Sequence, residues 1–260
     1  MSRLPSLFVS HGAPTFALEP GRAGAQLRAL GQTLPRPEAV LVVSPHWMTR
    51  SPLVGLVAQP QTIHDFGGFD PALYRIEYPA AGHPRLAGRA LALLEAAGWS
   101  PQGDAQRGLD HGAWTPLVHL YPQADVPVFQ VSLPARLDAG RAWALGETLA
   151  PLSSEGVLIV GSGSLTHNLY EFRMYDEAQE AYVQAFVQWV REAVAARDGG
   201  RLRRTLQEAP HAARAHPTAE HFWPLLVAAG AASTETPWQL LDGGIEHAVL
   251  SMDAYLFGEA

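Results

Sequence analysis

The chain has 260 residues, 47% of them hydrophobic and 17% charged, which is enough apolar material for a globular core. A net charge of −7, with no basic run longer than Arg203–Arg204, leaves no electrostatic footprint for a nucleic-acid backbone. Cysteine is absent, which excludes disulfides, thiolate zinc sites, iron–sulfur clusters and cysteine nucleophiles, so any metal site must use imidazole and carboxylate.

The N-terminal MSRLPSLFVSHG holds too short an apolar stretch for a signal peptide or a membrane span, so a cytoplasmic protein without a membrane partner is expected. In chain order, an apolar run at 6–10 (SLFVS) predicts a strand, and Leu27, Leu30 and Leu34 recur at helical spacing. Strands are expected next at 39–43 (AVLVV) and 53–58 (LVGLVA). The irregular stretch 60–83 follows, and long ordered loops usually serve a site. Leu86, Ala90, Leu93 and Ala97 predict a second helix, 126–132 (VPVFQVS) and 157–161 (VLIVG) two more strands, and Tyr182, Phe186, Trp189 and Ala193 a third helix. Helical character returns in FWPLLVAAGAA, and 247–256 reads as a last strand. Strands alternating with helices imply an α/β class: a mostly parallel sheet with helices on both faces, in a single domain over 1–260.

Three of these strands hand a histidine to the loop beyond their carboxyl ends: His11 after SLFVS, His46 after AVLVV and His167 after VLIVG. Open α/β sheets place ligand sites there. A fourth histidine-bearing segment, HPTAEH at 216–221, opens a helical stretch, with Thr218 as its expected N-cap and Glu220 and His221 in the first turn. Neighbours on a helix diverge by roughly 100°, so Glu220 and His221 are not expected to aim at one ion. A single histidine after a strand is usually an ordinary loop residue; several converging, with no cysteine available, point to a metal site. Imidazole suits Zn, Fe, Cu or Ni, so spacing alone does not choose the metal.

SHGAP at 10–14, SPHW at 44–47, IHDFGGF at 63–69, YPA at 78–80, GLDHGAWTPL at 108–117, GSGSLTHNL at 161–169 and HPTAEHFWPL at 216–225 together resemble the 4,5-DOPA dioxygenase family. These are class III extradiol ring-cleaving dioxygenases, distantly similar to the catalytic subunit of protocatechuate 4,5-dioxygenase. The likeness runs from residue 6 to about 256. It implies a three-layer α/β/α fold around a mostly parallel mixed sheet. It also implies a mononuclear non-haem metal, Fe(II) in the active form and often Zn(II) in purified samples, acting on a catechol and O2.

By motif, the resemblance implies that His11, His46 and His221 are metal ligands. His167 is implied as the acid–base residue, an additional ligand, or both. Distant relatives complete the site with a carboxylate, which leaves Glu220 beside His221 as the other choice. His111 is expected to hydrogen-bond substrate or dioxygen, or else simply to order its loop. His64, Asp65, Phe66 and Phe69 are expected to line the ring pocket, and His216 to support a metal-bound imidazole. A monomer or small homo-oligomer is expected. Two other readings fit the residues: a non-catalytic metal-binding or interaction protein on the same scaffold, and a zinc-dependent hydrolase with a glutamate base.

Overall fold

Apolar runs of Val, Leu, Ile and Phe become the centre of a six-stranded sheet. The computed structural model describes residues 3–173, 180–232 and 235–260. The strands are β1 (Ser6–Ser10), β2 (Ala39–Val43), β3 (Val128–Gln130), β4 (Val157–Gly163), β5 (Trp238–Leu241) and β6 (Ala254–Phe257), in the spatial order β3-β2-β4-β1-β6-β5. From β3 to β1 every pairing is parallel, whereas β6 runs antiparallel to both β1 and β5. This is the mixed, mostly parallel sheet expected.

Every residue of β1, β2 and β4 is buried, because helices cover both faces. The longer helices are α1 (Gly21–Thr33), α2 (Pro84–Ala96), α3 (His111–Leu120), α4 (Ala139–Leu149), α5 (Ala181–Ala195) and α6 (Trp223–Ala231). Successive strand residues point to opposite sides. Leu7, Val9, Val40, Val42, Leu158 and Val160 therefore pack with α1 and α3, while Phe8, Leu41, Val43 and Ile159 pack with α2, α4, α5 and α6. Gly161 and Gly163 let α6 and the turn before it lie close on β4; a Cβ at either would collide with the carbonyl of Pro224 or of His221. No helix among the described residues is long and apolar enough to cross a membrane.

Two strand expectations change, and one helix is new. The 53–58 strand shortens to Leu53–Gly55, which pairs with Gln102–Asp104 apart from the main sheet. The 247–256 run splits, Leu250–Ser251 pairing with Ile245–Glu246 before β6 begins. The break falls at the fully buried Asp253, whose carboxylate accepts from Arg191 and from the backbone of Gly243, and whose carbonyl accepts from Ser10 Oγ at 2.8 Å. Helix α3 gave no periodic signal because nearly all of it is buried, leaving no polar face to alternate with an apolar one.

Candidate metal centre and active site

Just past the end of β1 stands His11, which is 1% exposed, and the Oγ of Ser162 on β4 lies 2.9 Å from its Nδ1. That hydroxyl has one hydrogen, and it goes to the carbonyl of Gly112. Ser162 must therefore accept from His11, so Nδ1 carries the proton and Nε2 keeps its lone pair. From the end of β2, His46 brings its Nε2 to 3.1 Å from His11 Nε2 and holds its Nδ1 3.7 Å from Asp65 Oδ2. His221 approaches from the other side with Nδ1 3.3 Å from Glu220 Oε1, an oxygen that also accepts from the hydroxyl of Thr218 at 2.8 Å. In all three rings an oxygen faces Nδ1, the outer support that metal-ligating imidazoles use.

One ring nitrogen from each of His11, His46 and His221 lies within 4.8 Å of the other two. With the His46 proton on Nδ1, toward Asp65, two imidazole lone pairs face each other at 3.1 Å, an arrangement that a cation lying against both stabilises. Nitrogen ligands about 2.1 Å from one ion at near-right angles stand about 3 Å apart, so His11 and His46 have the spacing of two ligands of one divalent metal, with a nitrogen of His221 near enough to be a third. Burial first, then the neighbouring imidazoles, holds His11 and His221 well below the usual histidine range. Burial and the nearby His111 push His46 down to about 3 against the pull of Asp65. Unprotonated imidazole is the form a metal requires.

Two further histidines border this trio. His167, on the loop after β4, stacks flat on His221, ring centroids 3.5 Å apart and planes 8° apart. Burial lowers its pKa, with the charge of Glu220 opposing. His111 opens α3 behind its N-cap, Asp110. Its ring lies 3.9 Å from that of His46, and its Nδ1 and backbone N–H both reach Asp65 Oδ1 at 2.9 Å. Burial works to raise the Asp65 carboxyl, but the bonds and charge of His111 outweigh it and bring it down to about 2. Gly112 makes room for all this: a Cβ there would press on the Ser44 hydroxyl and the His46 ring.

The five imidazoles floor a cavity of about 290 Å³ walled by Phe66, Phe69, Leu169, Phe172 and Leu250. Phe66 and Phe69 stand where the sequence placed them, but His64 and Asp65 do not line the cavity. His64 donates from Nε2 to the carbonyl of Ile76 at 2.9 Å, which steadies the loop, and Asp65 is committed to His111. His216 touches none of the trio; it donates to the carbonyl of Leu165 at 2.8 Å and packs on Phe186 and Phe222, supporting the loop that carries His167. Thr218 is not an N-cap either. Helix α6 begins only at Trp223, with Pro224, which can lose its N–H only in a first helical turn, and His221 sits in the turn before it. Sequence reasoning missed Ser162, Gly112, Leu169, Phe172 and Leu250. Ser162 lay in the GSGS stretch, one residue inside the strand end, and its side chain points to the face of the sheet that α3 covers.

The family described as the catalytic LigB subunit of aromatic ring-opening dioxygenase matches residues 7–256. The 4,5-DOPA dioxygenase extradiol of Beta vulgaris is 38% identical over 256 residues, covering 97% of this chain and 96% of its own. Its namesake from Escherichia coli K12 is 37% identical over 254 residues, covering 96% and 93%. The crystal structure of the Escherichia coli K12 protein JW3007 superimposes with a TM-score of 0.80 at 31% identity, over 98% of this chain and all of that one. The chain therefore belongs to the LigB family of aromatic ring-opening dioxygenases and is a metal-dependent extradiol dioxygenase acting with O2 on a catechol-type ring.

Proposed function

We propose that His11, His46 and His221 hold Fe(II) through Nε2, and that the site opens a single-ring catechol with His167 as the proton acceptor. The observation that carries this reading is the 3.1 Å approach of two imidazole nitrogens, one of them fixed as a lone pair by Ser162. When bound, iron supplies the redox couple that zinc lacks and the positive charge that eases loss of a diol proton.

The protein's own part is positioning and proton handling. His167, kept neutral by burial, can take a hydroxyl proton and return it, an effect worth about 10²- to 10⁴-fold in rate. Its flat contact with His221 fixes the ring plane beside the ligand trio. His111 commits Nδ1–H to Asp65, so in its neutral form it offers Nε2 to the cavity as an acceptor. Phe66 and Phe69 keep water from the ring face. The names of the relatives make L-DOPA the first substrate to try. A hydrolase would want a free carboxylate base over the cavity, whereas Asp65 and Glu220 are engaged by His111 and His221. The enzyme is taken to work in the cytoplasm as a monomer or small homo-oligomer.

Anaerobic loading with Fe(II), then addition of L-DOPA or simpler catechols and air, should consume dioxygen and give a yellow ring-opened semialdehyde. The zinc-loaded protein should do neither. Failure of the iron form on every catechol would end the proposal.

A further inference from the structure

Resting on that reading, we propose that the cavity selects catechols whose remaining ring positions are bare or carry uncharged apolar groups, and discriminates against a carboxylate attached directly to the ring. With the diol on the imidazole floor, the rest of the ligand lies against Phe66, Phe69, Leu169, Phe172 and Leu250. Among the described residues, no side chain lining the cavity is Lys, Arg, Asp or Glu. The carboxylates just behind the floor, Asp65 and Glu220, hold His111 and His221. Arg173, next to Phe172, pairs with Glu180 at 3.2 Å, and the sequence MYDEAQ that follows it contains no Lys, Arg or His.

A ring carboxylate would thus leave water for a wall with nothing to receive its charge, and an unpaired buried charge is among the costliest things a binding site can accept. A methyl group at the same ring position gains contact instead. The cavity's about 290 Å³ sits at the small end of ligand pockets, enough for one ring and a short substituent. Charges carried on a spacer, as in L-DOPA, can escape toward the mouth at Leu169, which is 61% exposed. Discrimination therefore falls hardest on charge borne by the ring itself.

The test compares 4-methylcatechol, L-DOPA and 3,4-dihydroxybenzoate on the Fe(II)-loaded full chain. We expect kcat/KM for 4-methylcatechol to exceed that for 3,4-dihydroxybenzoate at least tenfold, with L-DOPA between them. Dissociation constants measured by calorimetry on the zinc-loaded protein should rank the same way, and this readout stands even if no ring is opened. Leu169→Arg, at a position 61% exposed, should narrow the gap by about tenfold by tightening the carboxylate, while Leu169→Gln should not. Equal or better binding of 3,4-dihydroxybenzoate by the unmodified protein, or a gap that Leu169→Arg leaves unchanged, would overturn the inference. Absence of turnover on all three substrates, with the binding order intact, would instead count against the oxygenase reading alone.

Discussion

The strand-end floor of the cavity and the part of the wall that residues 60–83 supply, Phe66 and Phe69, face the same space but are held by different means. His11 continues β1, its backbone N–H bonded to Gly163 at 2.9 Å and its ring to Ser162, so both come from the same neighbouring strand. The wall loop holds a single short helical turn, Leu73–Arg75, and is pinned to the α3 region by scattered bonds. These run from Ile63 N–H to Leu109, from Trp114 Nε1 to Ile63 and from His111 to Asp65. A metal site tolerates errors of only tenths of an ångström, and two of the three histidines, His11 and His46, take their positions from strand ends, while His221 takes its own from the turn before α6. The fit around a ring can vary with substrate, and it is set by a loop whose sequence can change without disturbing the strands.

The comparison breaks most visibly at the floor. His11→Ala or His46→Ala should strip the protein of bound metal and reduce ring opening below detection, read by elemental analysis and oxygen uptake. Metal retained at full stoichiometry would show that the trio is not the centre. Next in size, His167→Gln should keep its metal while kcat falls about 10²- to 10⁴-fold. Loss of metal in that variant would move His167 from proton acceptor to ligand.

Asp65 joins the two regions, and its removal sharpens the contrast. Asp65→Ala should leave the metal bound but lower kcat about 10- to 100-fold by freeing the His111 ring, as outer partners of metal sites typically do. Asp65→Asn, which still offers an oxygen to Nδ1–H, should recover part of the loss. The smallest effect lies in the support beneath His167. Burial pushes His216 down to about 4, with its bond to Leu165 opposing, against 6.5 for a free histidine. Between those values the unfolded chain binds the proton more readily, so stability is full above about pH 6.5 and declines as pH falls toward 4. Urea titrations of the metal-free protein should show the unmodified chain losing up to about 3 kcal/mol more than His216→Leu over that interval.

Much of this was legible in the residues because burial writes plainly. β1, β2 and β4 were found at or within two residues of their ends, since strands buried on both faces read as unbroken apolar runs. The histidines that follow β1 and β2 marked the floor directly. Helix α3 was invisible for the opposite reason, being buried all round, and β5 because a short edge strand after Pro237 carries little apolar pattern. Asp65 was assigned to the pocket wall because sequence shows which loop a carboxylate sits on but not which side of the loop it takes. His216 and Thr218 failed similarly. Their roles depended on where α6 begins, and Pro224 moved that start toward the C-terminus by several residues.

The placement of β1 has a kinetic consequence. Ser6 pairs with Ile159 on one side and Phe257 on the other, so the strand that carries His11 has no sheet neighbour nearby in sequence. Such high contact order slows folding, and a nascent chain must wait for distant segments before its first strand is enclosed. Metal capture should therefore be among the last events of maturation, and half-made chains, exposing an unpaired apolar strand, should be clients of chaperones before they are metalloproteins.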